Sequence, residues 1–355
     1  MKLLITTKTV DENDQLLGFF VEWIRLLSKK FEKITVLCLE KGKFELPKNV
    51  KVINIGKYRG LDKLRTLFSL CFISFNLRGE YDAVFVHMNP IWMISGGALW
   101  KIMRKKRFFW YTSGGVTFKL KVAEKFADTI FTASPESFRL SSKKVIVTGH
   151  GIDTELFKPD FSRSNLKEEA SRFDLGQANH KLKILSVGRI APVKNYETLI
   201  DAAKILKDGG VDFSVTMVGE AALDSDVRYL ASLKFKVKSL KLEENFSFIG
   251  KINHNDLPQY YQSHDIFIHL SKTGSLDKVI LEAMACRMKV LSSNDSARSF
   301  LPPDLIFEEN NPVNLASKMM TVGNATIDSD VRGYVFKYHS LDKLIDKLSK
   351  KISES

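Results

Sequence analysis

Short apolar runs alternate with longer segments of helical spacing along the whole chain, and the alternation begins again after a polar stretch. A short apolar run between turn-forming residues is typical of a strand buried on both faces of a parallel sheet. Seven such strands are predicted in the first half: Leu3–Ile5, Ile34–Cys38, Val50–Ile53, Ala83–Val86, Phe108–Tyr111, Thr129–Phe131 and Lys144–Val147. Six are predicted in the second half: Lys183–Val187, Phe213–Val218, Phe246–Ile249, Asp265–Leu270, Lys289–Leu291 and Asp304–Phe307.

The segments between these runs repeat apolar residues three and four positions apart, which predicts amphipathic helices. We expect such helices over Leu16–Leu27, over Leu61–Leu77, from Asn195 onwards and over Tyr338–Ser355. In the second of them the repeating residues are Leu64, Phe68, Cys71 and Phe75. In the last of them they are Leu341, Leu344, Ile345, Leu348 and Ile352.

Strand–helix units in two blocks predict an α/β chain with two Rossmann-like domains, each a doubly wound parallel sheet. We place the N-terminal domain at residues 1–158, a linker at 159–180, the C-terminal domain at 181–337 and a final helix at 338–355. That helix would cap the second domain or cross back to the first. Ligands of such sheets bind beyond the carboxyl ends of the strands, so the expected site is a cleft between the domains.

The composition fits a folded protein of a reducing compartment. Hydrophobic residues make up 44% of the chain and charged residues 27%, which is enough for a core and excludes a disordered chain. The apolar stretch Pro90–Leu99 stops before Lys101, short of the ~20 residues of a membrane span. No apolar leader follows the first lysine, and the three cysteines are scattered in apolar segments. We therefore expect a cytoplasmic location.

The net positive charge of the chain comes entirely from its first half. Residues 1–150 contain 26 Lys and Arg against 13 Asp and Glu, whereas residues 151–355 contain 28 of each kind. An excess of basic residues in one half favours an anionic partner. The alternative is that these residues only form a solvated basic face. Basic clusters border apolar segments: Arg104–Arg107 precedes Phe108–Trp110, and Lys57, Arg59, Lys63 and Arg65 precede Leu67–Phe75. These clusters predict a peripheral contact with an anionic membrane on its inner face.

The segment Ser186–Asn195 combines a strand end, a glycine and two cations. Gly188 permits a tight turn, and Arg189 and Lys194 project from the loop that precedes a helix. Two cations above a strand end suit a diphosphate, which carries roughly two negative charges. The alternative is that both are ordinary surface charges.

A second segment, Ser271–Ala285, runs from a strand through a loop of small residues into a helix. Backbone N–H groups of Gly274, Ser275 and Leu276 near the helix start would bind an anion. Glu282 lies about two turns into the helix among apolar neighbours, where a buried carboxylate needs partners. It would accept hydrogen bonds from two ribose hydroxyls; a helix-surface glutamate is the alternative.

Together these two segments resemble the donor half of the retaining glycosyltransferases of family 4, group 1, which have the two-domain B-type fold. Other motifs in the same order are similar to that family: Trp110–Thr112, Thr148–Asp153, Phe248–Lys251, Leu257–Tyr261, Ser263–Phe267 and Leu281–Cys286. The similarity covers nearly the whole chain and is densest between Lys183 and Asn311. Each motif alone is weak, whereas the combination in this order is specific.

The resemblance implies that Arg189 and Lys194 grip the β-phosphate and that Glu282 binds the ribose. It implies a UDP- or GDP-linked sugar as donor substrate, no further cofactor, no dedicated metal, and a glycan or lipid-linked acceptor. The sugar would be transferred with retention and without a protein nucleophile, through stabilisation of the leaving diphosphate. The donor-binding residues implied are Gly188, Arg189, Lys194, Gly250, Lys251, Gly274, Ser275, Leu276, Asp277 and Glu282.

The chain departs from the family pattern at two positions. Gly274 stands where the family often has a glutamate, so contacts to the donor sugar would come from backbone or from Ser275, Asp277 or Lys278. Ser113 stands where the family often has a histidine after the Trp110–Thr112 strand, and His87 is the other candidate. The predicted catalytic residues are therefore Arg189, Lys194, Ser113 and His87.

Three other classes of protein compete with the transferase. A member of the same fold that binds a nucleotide sugar without turnover agrees with the two departures. A sugar-nucleotide epimerase would need acid–base groups around the sugar that we do not find. A nucleic-acid binder is not expected, because no motif that recognises RNA or DNA accompanies the basic half.

The pair Asp224 and Asp226 has the letters of a metal motif, but its place after Gly219 favours a helix start.

Overall fold

The computed structural model describes residues 1–14, 16–56, 62–160, 181–324 and 330–354. The chain divides into two compact units, Met1–Gly151 with Tyr338–Ser355, and Ile152–Lys337. Most of the predicted linker, residues 161–180, and the predicted basic residues Lys57 and Arg59 lie outside the described residues.

The first unit contains a parallel sheet of seven strands in the order β3-β2-β1-β4-β5-β6-β7. Strands β1 to β7 are Lys2–Val10, Lys33–Lys41, Val50–Asn54, Ala83–His87, Lys106–Trp110, Thr129–Thr132 and Val145–Val147. All seven strands predicted in this half are confirmed. The central strand β4 is buried along its whole length, because helices cover both faces of the sheet.

Helices α1 to α4 of the first unit are Phe19–Ser28, Asp62–Asn76, Pro90–Ile102 and Phe118–Phe126. Helix α3 packs against both α2 and α4, and these three helices share one apolar cluster with one face of the sheet. Helix α3 begins where Pro90 occupies its first turn and the Asn89 side chain accepts a hydrogen bond from the Ile91 amide.

The second unit contains a parallel sheet of five strands in the order β10-β9-β8-β11-β12. Strands β8 to β12 are Leu182–Val187, Phe213–Val218, Phe246–Gly250, Ile266–His269 and Lys289–Ser292. Five of the six predicted strands are confirmed. The sixth, Asp304–Phe307, is wrong: Pro303–Leu305 forms a 3-10 helix, and only Ile306 makes an isolated bridge, to Ser292. The two prolines at 302 and 303 cannot donate to a strand ladder.

Helices α5 to α10 are Tyr196–Asp208, Asp224–Ser239, Pro258–Ser263, Lys278–Ala285, Pro312–Asn324 and Val331–Tyr338. Residues 152–158, which the predicted boundary assigned to the first domain, belong to the second unit. Ile152 and Phe157 are buried in its core, and the Arg332 guanidinium donates to the carbonyls of Thr154 and Phe157. No helix within the described ranges combines the length and the apolar character needed to cross a bilayer.

The last helix, α11 (Leu341–Ser353), contributes to the core of the first unit. Its predicted apolar stripe is confirmed, since all five residues are buried in the cluster that contains Trp23 and Ile24 of α1. The turn before α11 is fixed by His339, whose Nδ1 accepts a hydrogen bond from the His150 amide at 3.2 Å. The cluster on this face of the sheet is therefore built from both ends of the sequence.

The burial of His339 predicts acid sensitivity of the first unit. Desolvation, with a smaller contribution from Lys347, lowers the pKa of His339 from 6.5 to about 4. The unfolded chain therefore binds a proton that the folded chain refuses between these two values, so the unfolding free energy falls as pH falls through this window, by up to about 2–3 kcal/mol. We expect H339N, which retains an acceptor for the His150 amide, to lose less stability than the wild type between neutral pH and the lower end of the window. Parallel stability curves for the two proteins in urea titrations would contradict this assignment.

Candidate functional site

The carboxyl ends of β8 and β11 lie side by side at the point where the strand order of the second sheet reverses. The Ser186 hydroxyl donates to the Ile268 carbonyl at 2.9 Å and ties the two strands together just before they end. The loops that follow, which begin at Gly188 and Leu270, therefore open at the same edge. This is the place where parallel α/β sheets bind their ligands.

Gly188 and Gly219 allow the loops after β8 and β9 to pass very close to each other. Their φ angles are +154° and +141°, which L-residues with a side chain rarely adopt. A Cβ atom on Gly219 would lie 1.9 Å from the Gly188 carbonyl oxygen. The predicted need for a glycine at Gly188 thus has a geometric basis, and Gly219 shares it.

Arg189 follows this turn and lies near a buried carboxylate. Its Nε atom is 3.9 Å from Oδ2 of Asp226, and the Arg189 side chain remains 37% exposed. Asp226 is in the first turn of α6, is only 3% exposed, and its Oδ2 accepts no hydrogen bond. The predicted helix start at Asp224 is confirmed, but neither aspartate caps the helix. Asp226 supplies instead a negative charge beside the Arg189 guanidinium.

Lys194 ends a short 3-10 helix, Pro192–Lys194, and Asn195 follows in the left-handed conformation. The predicted helix start is confirmed, since α5 begins at Tyr196. Asn195 occupies the N-cap position of α5, but its side chain makes no cap hydrogen bond and instead donates to the Asn310 side-chain oxygen at 3.3 Å. The left-handed residue turns the chain sharply between Lys194 and α5.

Lys194 is held by a chain of polar contacts that crosses the site. Its Nζ lies 2.5 Å from Oδ2 of Asp277 and 3.4 Å from the Ser271 hydroxyl. The same Asp277 oxygen accepts a hydrogen bond at 2.9 Å from Nε2 of His269, whose Nδ1 lies 3.3 Å from the Ser292 hydroxyl. Asp277, predicted to face the donor, thus serves to hold the Lys194 ammonium.

The charges in this chain shift the acidity of its members. Burial alone would raise the pKa of Asp277, but the Lys194 ammonium and the His269 N–H outweigh burial and hold that pKa well below its usual range. Burial lowers the pKa of His269, against the pull of Asp277, so that the ring stays neutral and can donate one N–H. Lys194 and Asp277 therefore form an ion pair, with a neutral histidine behind it.

The Asn294 side chain fixes the loop between β11 and α8. The Asn294 side-chain amide donates to the carbonyls of Ser271 and Ser275, at 3.3 and 3.1 Å. Gly274 has a φ of +63°, which suits glycine at this turn. Ser275 and Leu276 are buried, and the Ser275 hydroxyl donates to the Thr273 hydroxyl at 3.1 Å.

Glu282 lies on α8, and both of its carboxylate oxygens have partners. Oε1 is 3.3 Å from Nε2 of His254, and Oε2 accepts a hydrogen bond from the Tyr261 hydroxyl at 3.1 Å. Burial and the Glu282 charge raise the pKa of Tyr261, so the phenol stays protonated as a donor. The Glu282 side chain is only 4% exposed. A ribose would reach it only by sharing or replacing these contacts.

Three further predicted or alternative residues of this half lie around the same edge. Gly250, at the end of β10, has a φ of +80° with open space where a side chain would be, and Lys251 after it is exposed. Burial lowers the pKa of Lys278, in the first turn of α8, to about 7, although Glu282 one turn away raises it.

Within the described ranges, no group of three or more His, Cys, Asp or Glu side chains is arranged to hold a metal ion.

The two catalytic residues predicted in the first unit have different surroundings. Ser113 is half-buried in the loop after β5. His87, at the end of β4, is 2% exposed and stacks on Phe20 with ring centroids 3.9 Å apart, while its Nδ1 lies 3.2 Å from the Thr7 hydroxyl. This burial against aromatic rings favours a core histidine over a catalytic one.

The residues that hold the predicted ones in place are Asp226, His254, Tyr261, His269 and Asn294. From the sequence alone, Asp226 and the Leu257–Tyr261 motif are noted without this role, and the other three are not singled out. The only signal for His269 and Asn294 was a polar residue at the end of an apolar strand or just beyond it.

Residues 167–303 match the family model of the glycosyl transferases group 1. The predicted resemblance to this family is confirmed over that part of the chain. The mannosylfructose-phosphate synthase of Agrobacterium fabrum is 30% identical over 155 residues, which is 42% of this chain and 32% of that protein. The UDP-Gal:alpha-D-GlcNAc-diphosphoundecaprenol alpha-1,3-galactosyltransferase of Escherichia coli is 26% identical over 160 residues, 44% of this chain and 38% of that protein. The chain thus spans about a third of the length of these relatives.

The similarity in fold extends over the whole chain. The crystal structure of Anabaena Alr3699/HepE in complex with UDP and glucose superposes with a TM-score of 0.75 at 19% identity and covers 100% of both chains. The predicted fold, two Rossmann-like α/β domains of the glycosyltransferase B type, is confirmed.

The Lys194–Asp277 pair predicts a pH-dependent contribution to stability. We expect D277N to lower the unfolding free energy of the protein by about 1–3 kcal/mol at neutral pH, because it leaves a partly buried ammonium without its counter-charge. The pKa of Asp277 is lowered from 3.8 in the folded state. The pair therefore contributes fully above that value and progressively less as pH falls below it, so the difference between wild type and variant should shrink in acid.

The matched control for D277N is D224N, which removes an exposed carboxylate from the first turn of α6. It should cost less than about 1 kcal/mol, on the scale of a helix-dipole contact. Equal losses in urea titrations of the two variants would contradict the role assigned to Asp277.

Proposed function

We propose that this protein transfers a glycosyl group from a nucleoside diphosphate sugar to a glycan or lipid-linked acceptor, with retention and without a metal. The observation that carries the proposal is the pair of cations at the carboxyl edge of β8. Arg189 and Lys194 each lie beside a carboxylate, Asp226 and Asp277, that limits where the cation can point. A site built in this way is pre-organised for an anion with two charged groups.

The names of the relatives support a nucleotide-sugar donor. The Escherichia coli relative is named for a UDP-linked donor and a diphosphoundecaprenol acceptor, and the Anabaena structure contains UDP and glucose. We extend these chemistries to this chain, with UDP as the first donor nucleotide to test and GDP as the second. A lipid-linked acceptor would bring the protein to the inner face of a membrane.

In this proposal the work of the second unit is electrostatic. Arg189 and Lys194 would neutralise the diphosphate as the glycosidic bond lengthens, and the backbone of the Gly274–Leu276 turn would contact its oxygens. Glu282 would orient the ribose together with its partners His254 and Tyr261. Ser113 remains our candidate on the acceptor side, and His87 is left out because it is buried.

A second candidate is a protein of the same fold that binds nucleotide sugar without turning it over. Gly274 lacks the side chain that would contact the sugar, and both Glu282 oxygens are already engaged. Binding and turnover must therefore be measured separately.

The test of the donor site is nucleotide binding by wild type, R189A and K194A. Ligand binding to the folded state raises its stability by RT ln(1 + [L]/Kd), so UDP or GDP should raise the wild-type melting temperature. Both variants should lose most of this shift, and their turnover with the matching nucleotide sugar should fall about 10²–10³-fold.

The matched control is R228A, which removes an exposed arginine from α6, the helix that carries Asp226. It should keep both the shift and the turnover. Turnover should also survive EDTA, because the two cations do the work of a metal ion. A normal shift of the melting temperature in R189A and K194A would contradict the donor site. A shift in the wild type without turnover would establish the second candidate. Loss of turnover in EDTA, with recovery in Mg²⁺, would contradict metal independence.

The role of Glu282 is tested by E282Q with ribose and deoxyribose nucleotides. If Glu282 accepts the ribose hydroxyls, E282Q should weaken nucleoside diphosphate binding by roughly 1–3 kcal/mol, and the 2′-deoxynucleotide should lose a similar amount against wild type but little against E282Q. The control is Y261F, which removes a donor to Glu282 but keeps the carboxylate. It should preserve discrimination between the two sugars. If E282Q discriminates as wild type does, Glu282 is a structural residue only.

A further inference from the structure

Helix α2 turns its most apolar side towards solvent. Leu64, Phe68, Phe72 and Phe75 are 70%, 76%, 68% and 47% exposed. The residues that α2 buries are Thr66, Leu70 and Ser74. A surface helix of a folded protein ordinarily has the opposite distribution, with its apolar stripe towards the core. We call the four exposed residues the α2 stripe.

The α2 stripe is continuous along the helix. Its members are four, four and three positions apart, which at about 100° per residue places them within an arc of about 80°. Eleven positions at about 1.5 Å each extend the stripe over about 16 Å. Contiguous exposed apolar surface of this kind marks a site of interaction, because scattered single residues would not line up in this way.

The folding of the first unit does not require the α2 stripe. Leu70 lies in the cluster beneath α2, with Leu67 and Ile73 packed against it from the sides of the helix. The Tyr81 hydroxyl donates to the Ser74 carbonyl at 3.0 Å and fixes the end of the helix. The exposed phenylalanines are therefore available for a partner.

The charges around the stripe are positive. Lys63 and Arg65 lie on either side of Leu64 along the chain, and the Arg78 guanidinium stacks on the Phe75 ring at 4.5 Å. Residues 62–144, which include α2, α3 and α4, contain 14 Lys and Arg against 6 Asp and Glu. These three helices cover the same face of the sheet. Two copies meeting through this face would repel each other, whereas an anionic surface would be attracted.

The basic run at Arg104–Arg107 is less suited to this role than its sequence indicates. The aromatic residues beside it, Trp100 and Phe108–Trp110, are buried in the core. The Arg107 guanidinium pairs with Asp128, and the Lys105 ammonium donates to the Tyr81 carbonyl at 2.5 Å. Several groups of this run thus serve the fold, whereas three of the exposed phenylalanines of this unit lie in a row on α2.

We propose that the α2 stripe inserts into the headgroup region of an anionic phospholipid bilayer, with α2 parallel to the surface and the flanking cations on lipid phosphates. Exposed phenylalanines with basic neighbours match the chemistry of interfacial helices, which combine apolar burial with attraction to anionic lipids. The proposal goes beyond glycosyl transfer, and its test does not involve the donor site, so the two can fail independently.

The first experiment measures insertion directly with F72W. All four native tryptophans, Trp23, Trp92, Trp100 and Trp110, are at most 2% exposed, so their emission should change little on vesicle binding. Vesicles of equal parts phosphatidylcholine and phosphatidylglycerol should shift the F72W emission to the blue, and vesicles of phosphatidylcholine alone should not. High salt should reverse the shift, because it screens the attraction of the cations. No shift with anionic vesicles would overturn the proposal.

The second experiment compares co-sedimentation of wild type, F68Q/F72Q and F235Q with the same anionic vesicles. Phe235, on α6 of the second unit, is 75% exposed and also has basic neighbours, so it is a matched control. We expect F68Q/F72Q to partition at least about tenfold more weakly than wild type and F235Q to partition as wild type does. Equal weakening in both variants would assign the binding to general charge and overturn the α2 stripe. The proposal would also be overturned if wild type did not bind vesicles but dimerised in a concentration-dependent way that F68Q/F72Q abolished.

Discussion

The ion pair between Lys194 and Asp277 organises the carboxyl edge of the second sheet. It joins the loop after β8 to the first residue before α8, and these two segments are far apart in sequence. Because His269 and Ser292 stand behind Asp277, the pair also ties the loop to β11 and β12. Four segments are thus held by one carboxylate whose own burial would otherwise be unfavourable.

The same logic applies on the other side of the proposed donor site. Asp226 faces Arg189, and Glu282 faces His254 and Tyr261, so each group that would meet a nucleotide is already balanced by an internal partner. Such balancing keeps charges in place at low cost, since a buried charge without a partner would shift its pKa or disrupt the fold. In the proposed donor site a diphosphate would have to compete with internal carboxylates for the two cations. The affinity for the donor would then depend on how much better the diphosphate satisfies those cations than Asp226 and Asp277 do.

Most of the architecture could be predicted from the sequence, because buried parallel strands appear as apolar runs. A glycine such as Gly188 also indicates a turn whose backbone angles other residues rarely adopt. The failure at Asp304–Phe307 arose because an apolar run was read without weighing the prolines before it. Helical spacing identified α2 correctly but not its buried side, since Leu, Phe and Cys occur on several sides of that helix and only tertiary packing decides between them. His269 and Asn294 were missed because a single polar residue at a strand end has no motif of its own, and its importance depends on neighbours distant in sequence.

The way α11 completes the first unit has a consequence for how the protein is made. Residues 341–353 fill the same apolar cluster as α1, so the sheet formed by the first part of the chain has an open face until those residues have left the ribosome. The second unit lies wholly between the two parts of the first and is synthesised before α11. It can therefore reach its final structure while the first unit is still incomplete. Translation that stops shortly before residue 341 would leave a finished second unit attached to a first unit with an exposed hydrophobic face, which is a ready substrate for chaperones and proteases.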